Sequence, residues 1–139
     1  MTTGNTLPAR CKVLLVEDDD GARAMYAAAL SREGFHVRTA PDGMMALRML
    51  ESYDPDVVIL DLRLPLADGF EVLRELRCDR LHASLPVIAV SGHESGLERA
   101  RRDPEFFAAL QKPFDPDDLI GVTRRAVLRP FRGEPAGTP

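Results

Sequence analysis

Four places in the chain bring chemically capable residues to the end of an apolar run. Glu17, Asp18, Asp19 and Asp20 follow "KVLLV", residues 12–16. The run "DVVIL" leads straight into Asp61, "PVIAV" into Ser91-Gly92, and "FAALQ" into Lys112-Pro113. A charge at the rim of a core is costly unless it is paired, hydrated or used. Carboxylates at close quarters raise one another's pKa unless a cation joins them. The hard-oxygen set Glu17, Asp18 and Asp61 suits Mg²⁺. No Cys or His cluster competes for a softer metal. A carboxylate beside Mg²⁺, with a lysine and a serine to receive equatorial oxygens, is a site for phosphoryl transfer to Asp61. Lys112 would neutralise charge on the phosphoryl group, Ser91 would bond to one of its oxygens, and Gly92 would leave space for it.

Each feature alone has a plainer reading. "EDDD" serves as an N-cap and helix-dipole cluster. Asp61 caps a strand end, Lys112 is a solvated lysine, and Ser91-Gly92 is a turn. Their order at successive strand ends is what favours chemistry, and that order depends on the elements that carry them.

Those elements alternate. The four apolar runs and the alternating "HVRTA", residues 36–40, are expected strands, the last nearer an edge. Between them lie helical patterns. Ala22, Met25, Tyr26, Ala29 and Leu30 recur at helical spacing, and Gly34 sits where a C-cap belongs. Ala46, Leu47 and Leu50 form a second stripe, Phe70, Leu73 and Leu76 a third. Leu119, Val122 and Ala126 form the last, behind the N-cap candidate Asp115. The stretch after residue 92 is ambiguous, and Pro104 is expected to end or distort a fourth helix. Five β-α units with near-continuous apolar strands imply a parallel sheet covered on both faces. Such sheets bind ligands at the carboxyl ends of their strands.

Composition sets the outer bounds. The chain has 139 residues, 45% hydrophobic and 29% charged, which suits one globular domain. Residues 1–10 and 130–139 read as flexible ends around a domain spanning 11–129. The net charge of -4 argues against nucleic acid as a partner. No apolar run approaches a membrane span and no secretory leader is evident, so a cytoplasmic location is expected. Cys11 and Cys78 are expected as free thiols.

The motifs "VLLVEDDD", "VVILDLRLPLADGFE", "VIAVSGH" and "LQKPF" resemble, in order, those of the response regulator receiver domain of two-component signalling. The resemblance covers about residues 12–128. It implies a flavodoxin-like fold, a five-stranded parallel sheet in order 2-1-3-4-5. It implies that Asp61 is the phosphoacceptor for a histidine kinase or phosphotransfer protein. Asp18 would be the direct Mg²⁺ ligand, joined by Glu17, Asp61 and the backbone carbonyl of Arg63. Ser91 would be the switch hydroxyl and Lys112 the phosphoryl-binding lysine, with Pro113 at a cis-peptide position. Arg63 and His93 fall at variable positions that tune hydrolysis of the acyl phosphate; a solvated loop histidine is the plainer reading of His93. His36 and His82 are assigned nothing. Output would run through protein contacts at the face of the fourth helix, fifth strand and fifth helix; a homodimer through that face is left open. The chain would be a signalling phosphoacceptor rather than an enzyme with a separate substrate.

There are departures. Ala109 stands three residues before the lysine, where the family often carries Tyr or Phe as a rotameric switch, and Phe106 and Phe107 lie just upstream. This keeps a phosphate-independent adaptor open as an alternative. A Mg²⁺-dependent phosphohydrolase of the haloacid-dehalogenase type would want a second Asp where Arg63 stands. An FMN binder would be repelled by "EDDD".

Overall fold

The computed structural model describes residues 11–128; the expectations for 1–10, 129 and 130–139 lie outside them. Five strands are present: β1 Lys12–Val16, β2 His36–Ala40, β3 Val57–Asp61, β4 Val87–Ser91 and β5 Ala108–Gln111. They alternate with α1 Asp20–Arg32, α2 Gly43–Met49, α3 Gly69–Cys78, α4 Glu94–Arg102 and α5 Pro116–Leu128. All strand pairs are parallel, in the order β2-β1-β3-β4-β5. This is the expected flavodoxin-like arrangement.

Side chains alternate across the pleat, so the apolar strands feed two cores. Leu14, Val16, Val58, Leu60, Val87 and Ala89 meet residues of α2, α3 and α4. Val13, Leu15, Val57, Ile59, Ile88 and Val90 meet α1 and α5. The chain starts its helices with carboxylates just past the strands. Asp19 accepts from the Ala22 amide, Asp42 from Met45, and Asp115 from Asp117. Asp68 and Glu71 exchange bonds as a capping box at α3. Gly34, at φ 99°, follows the end of α1 in the left-handed region glycine tolerates.

Several details differ from expectation. Met25 is half exposed rather than on the buried stripe, which runs through Tyr26, Ala29 and Leu30. Of the two expectations for Pro104 the first holds: α4 is regular and stops at Arg102, with Asp103 extended just before the proline, so the proline ends the helix without distorting it. A short 3₁₀ turn, Arg80–His82, follows α3. His82 is buried there, with Nδ1 3.2 Å from Asp79. Cys11 is buried, Cys78 is exposed, and both are free. No helix among the described residues is long and apolar enough to cross a membrane.

Candidate functional site

β1 and β3 are neighbours, with Val16 opposite Leu60, so Glu17 and Asp61 emerge side by side. β4 flanks β3 on the other side, with Val90 opposite Asp61, and Gln111 of β5 lies opposite Ser91. Three polar residues are therefore buried at one end of the sheet: Glu17 and Ser91 at 1% exposure and Asp61 at 4%. Asp18 stays exposed at the rim.

Lys112 holds the centre. Its Nζ donates to Glu17 Oε1 at 2.7 Å and to Asp61 Oδ2 at 2.8 Å. Burial alone would favour the neutral amine, but the two carboxylates outweigh it and push the Lys112 pKa up. Burial is also the largest influence on Glu17 and raises its pKa, although Lys112 and the Asp19 amide favour its charged form. Each acid has a second anchor: Asp61 Oδ1 accepts the Arg63 amide at 2.9 Å, and Glu17 Oε2 the Asp19 amide at 3.1 Å. Both carboxylates are thus fixed by groups from their own loop and by a lysine from across the sheet.

One oxygen from each of Glu17, Asp18 and Asp61 lies within 4.8 Å of the others. That spacing and the all-oxygen donor set fit a hard divalent cation such as Mg²⁺. Ser91 Oγ accepts the His93 amide at 3.0 Å, which leaves the hydroxyl hydrogen free to donate. The Lys112–Pro113 peptide is cis, as expected.

Arg63 and His93 are brought to each other. Arg63 Nη1 lies 2.9 Å from His93 Nε2 and 3.2 Å from Nδ1. Arginine carries only donors, so the ring nitrogen that bonds to it acts as the acceptor. The pair lines a cleft of about 610 Å³ together with Asp18, Ser91 and Arg99. Gly92 has room to spare, because a Cβ there would meet Lys112 at an ordinary 3.9 Å.

Two supports are not evident from the sequence. Gly69 is a glycine by necessity: a Cβ would fall 2.7 Å from the Asp61 carbonyl oxygen and 2.8 Å from Leu62 Cα. The Asp68-Gly69 pair after Pro65 is the visible signal, but it reads equally as a turn. Arg99 lies 3.7 Å over the Phe70 ring, and Phe106 meets that ring edge-on at 5.7 Å. Nothing in the spacing of these three foretells their meeting. Phe106 is buried in the core, Phe107 is partly exposed, and Ala109 packs against the core.

The family model of the response regulator receiver domain matches residues 13–124. The chain belongs to the response regulator receiver family. That places it in two-component, phosphorelay signal transduction. The receiver is 34% identical over 119 residues to the regulatory protein AtoC of Escherichia coli, covering 84% of this chain and 25% of that protein. It is 36% identical over 126 residues to the response regulator MprA of Mycobacterium bovis, covering 90% and 54%. It therefore spans a quarter to about half the length of these curated relatives. Among solved structures it is similar to the chemotaxis response regulator CheY4 of Vibrio cholerae, with a TM-score of 0.78 and 29% identity, covering 84% of this chain and 98% of that one. NtrX from Brucella abortus gives a TM-score of 0.75 and 35% identity, covering 85% and 27%.

Proposed function

We propose that this receiver is a phosphoacceptor that takes a phosphoryl group from a histidine kinase or phosphotransfer protein onto Asp61. The observation that carries the reading is the setting of Asp61. It is a buried carboxylate at the end of the central strand, held by Lys112 and the Arg63 amide beside two further carboxylates. In the transfer, an Asp61 oxygen forms a new bond to phosphorus as the phosphorus–nitrogen bond of phosphohistidine breaks. The imidazole leaves with the electron pair and takes up a proton.

Glu17, Asp18, Asp61 and the Arg63 carbonyl would hold Mg²⁺, which, when bound, offsets the negative charge of the phosphoryl oxygens. Lys112 redirects its ammonium from Asp61 to a phosphoryl oxygen. Ser91 donates the hydrogen that its present bond leaves free. Arg63 and His93 stand at the mouth and govern how water reaches the acyl phosphate. Asp61 is consumed and regenerated, so the chain acts as a signalling phosphoacceptor.

Ala109 removes the bulk that an aromatic switch would supply, so the signal travels through Ser91 into residues 92–107. The face of α4, β5 and α5 then contacts the downstream protein or a second copy. Domain bounds of 11–129 and a cytoplasmic location belong to the same reading.

Incubation with acetyl phosphate and Mg²⁺ should add one phosphoryl mass to the intact protein, and Asp61→Asn should abolish it. A labelled Asp61→Asn protein would sink the assignment. Hydrogen exchange with beryllofluoride should show altered protection across residues 92–107. Changes confined to residues 17–20 and 61–69 would favour the phosphate-independent adaptor.

A further inference from the structure

The opposite end of the sheet carries a second cleft that phosphoryl chemistry does not use. It measures about 410 Å³ and is lined by Lys12, His36, Val37, Arg38, Ser52 and Tyr53. The Arg38 guanidinium lies 4.8 Å from the centre of the Tyr53 ring, and the Lys12 ammonium 5.8 Å. Among the described residues, neither cation forms an ion pair with a carboxylate. Nearby acids have other partners: Asp56 accepts the Lys12 amide at 2.8 Å, and Asp54 lies 4.0 Å from His82. Two cations therefore stand beside an aromatic ring, in a protein of net charge -4, without a described counter-ion.

The cleft adjoins an edge of the sheet, where among the described residues β2 pairs with β1 alone. Its His36 amide donates inward to Cys11, and its Ala40 carbonyl accepts inward from Glu17. By alternation, the N–H and C=O groups of Val37 and Thr39 point outward, away from β1. Val37 packs toward the core under α1 and α5, so His36 and Arg38 project from the other face, where Tyr53 lies. A strand laid along this edge would place every second side chain beside His36 and Arg38. Charged edges usually keep other strands away. Here the charged side chains that line the cleft itself are cationic, with Asp54 and Asp56 outside its lining, which turns repulsion into selectivity for acidic residues.

We propose that the β2 edge and the Lys12–Arg38–Tyr53 cleft form a docking site for an extended acidic segment of a partner protein, which adds to the sheet as a sixth strand. Main-chain bonds to Val37 and Thr39 supply the attachment, and the cleft selects glutamate or aspartate at alternate positions. The site is independent of Asp61 and lies at the other end of the strands.

The probe is a blocked hexapeptide alternating threonine and glutamate, titrated into ¹⁵N-labelled protein. Saturable shifts are expected at Val37, Thr39 and the cleft residues. Arg38→Ala and Lys12→Ala should each weaken binding about fivefold, the scale of one exposed ion pair. A peptide with lysine for glutamate should not bind. A glutamate peptide with alternate backbone nitrogens methylated should lose binding, because it keeps the charge but cannot form the ladder. Equal binding of that methylated peptide would overturn strand addition and leave only attraction between charges. Absent shifts, or shifts centred on residues 17–20 and 61–69, would also overturn it. Circular dichroism of both variants checks that the fold persists, and Arg38→Glu, which reverses the charge, should bind the lysine peptide instead.

Discussion

The two ends of the same sheet treat polar residues differently. At the carboxyl end, Glu17, Asp61 and Ser91 are almost wholly buried, and each polar side chain is held by hydrogen bonds. The common partner of the two acids, Lys112, lies 95 residues beyond Glu17 and 51 beyond Asp61. At the amino end, Lys12, His36 and Asp56 all reach water. Burial of charge is tolerated only where distant segments converge with matching charge and hydrogen bonds. Groups that water still serves need no such convergence, and removing one costs little.

The sharpest break in the comparison is functional. Asp61→Asn should erase labelling by acetyl phosphate, whereas Arg38→Ala, at the other end, should leave it unchanged, with both read by intact mass. Loss of labelling in Arg38→Ala would mean that the two ends are coupled.

Next in size is Gly69→Ala. Its Cβ would collide with the backbone of Asp61 and Leu62, so the loop must shift. A loss of about 3 kcal/mol is expected from overpacking of this kind, measured by urea unfolding. Labelling of the folded fraction should also slow, because the same shift moves Asp61.

Lys112→Met leaves two carboxylates facing each other. About 2 kcal/mol should be lost in EDTA at neutral pH, less than for a fully buried pair because the lysine is partly exposed. Mg²⁺ should restore much of it by replacing the missing positive charge. The pH dependence follows from the raised Lys112 pKa. A folded-state value above the ordinary 10.5 stabilises fully below 10.5, and the contribution is lost as pH rises through the folded value. The stability gap between wild type and variant should therefore narrow at strongly alkaline pH. A gap that widened there would contradict the assignment.

The smallest effect belongs to the amino end. Asp56→Ala removes the acceptor for the Lys12 amide, but water can replace it, so about 0.5 kcal/mol is expected. A loss as large as that of Lys112→Met would erase the distinction between the two ends.

Much of the fold and of the carboxyl-end site is legible in the amino-acid order. Continuous apolar runs in β1, β3 and β4 require burial on both faces, and alternation with helical stripes leaves a parallel sheet as the outcome. Asp61, Glu17, Ser91 and Lys112 stand out because each closely follows such a run, where local pattern alone sets the position. The end of α4 follows from Pro104, but the regularity of that helix is less visible, since a proline that ends one helix cleanly can distort another. Tertiary structure alone decided the rest. It gave His82 a burial site beside Asp79 and turned Arg63 toward His93. It set Arg99 over Phe70 and made Gly69 indispensable through the close approach of Asp61 and Leu62. These are contacts between segments apart in the chain or packed to within atomic radii. Periodicity records which face a residue takes, but not which side chain it meets there.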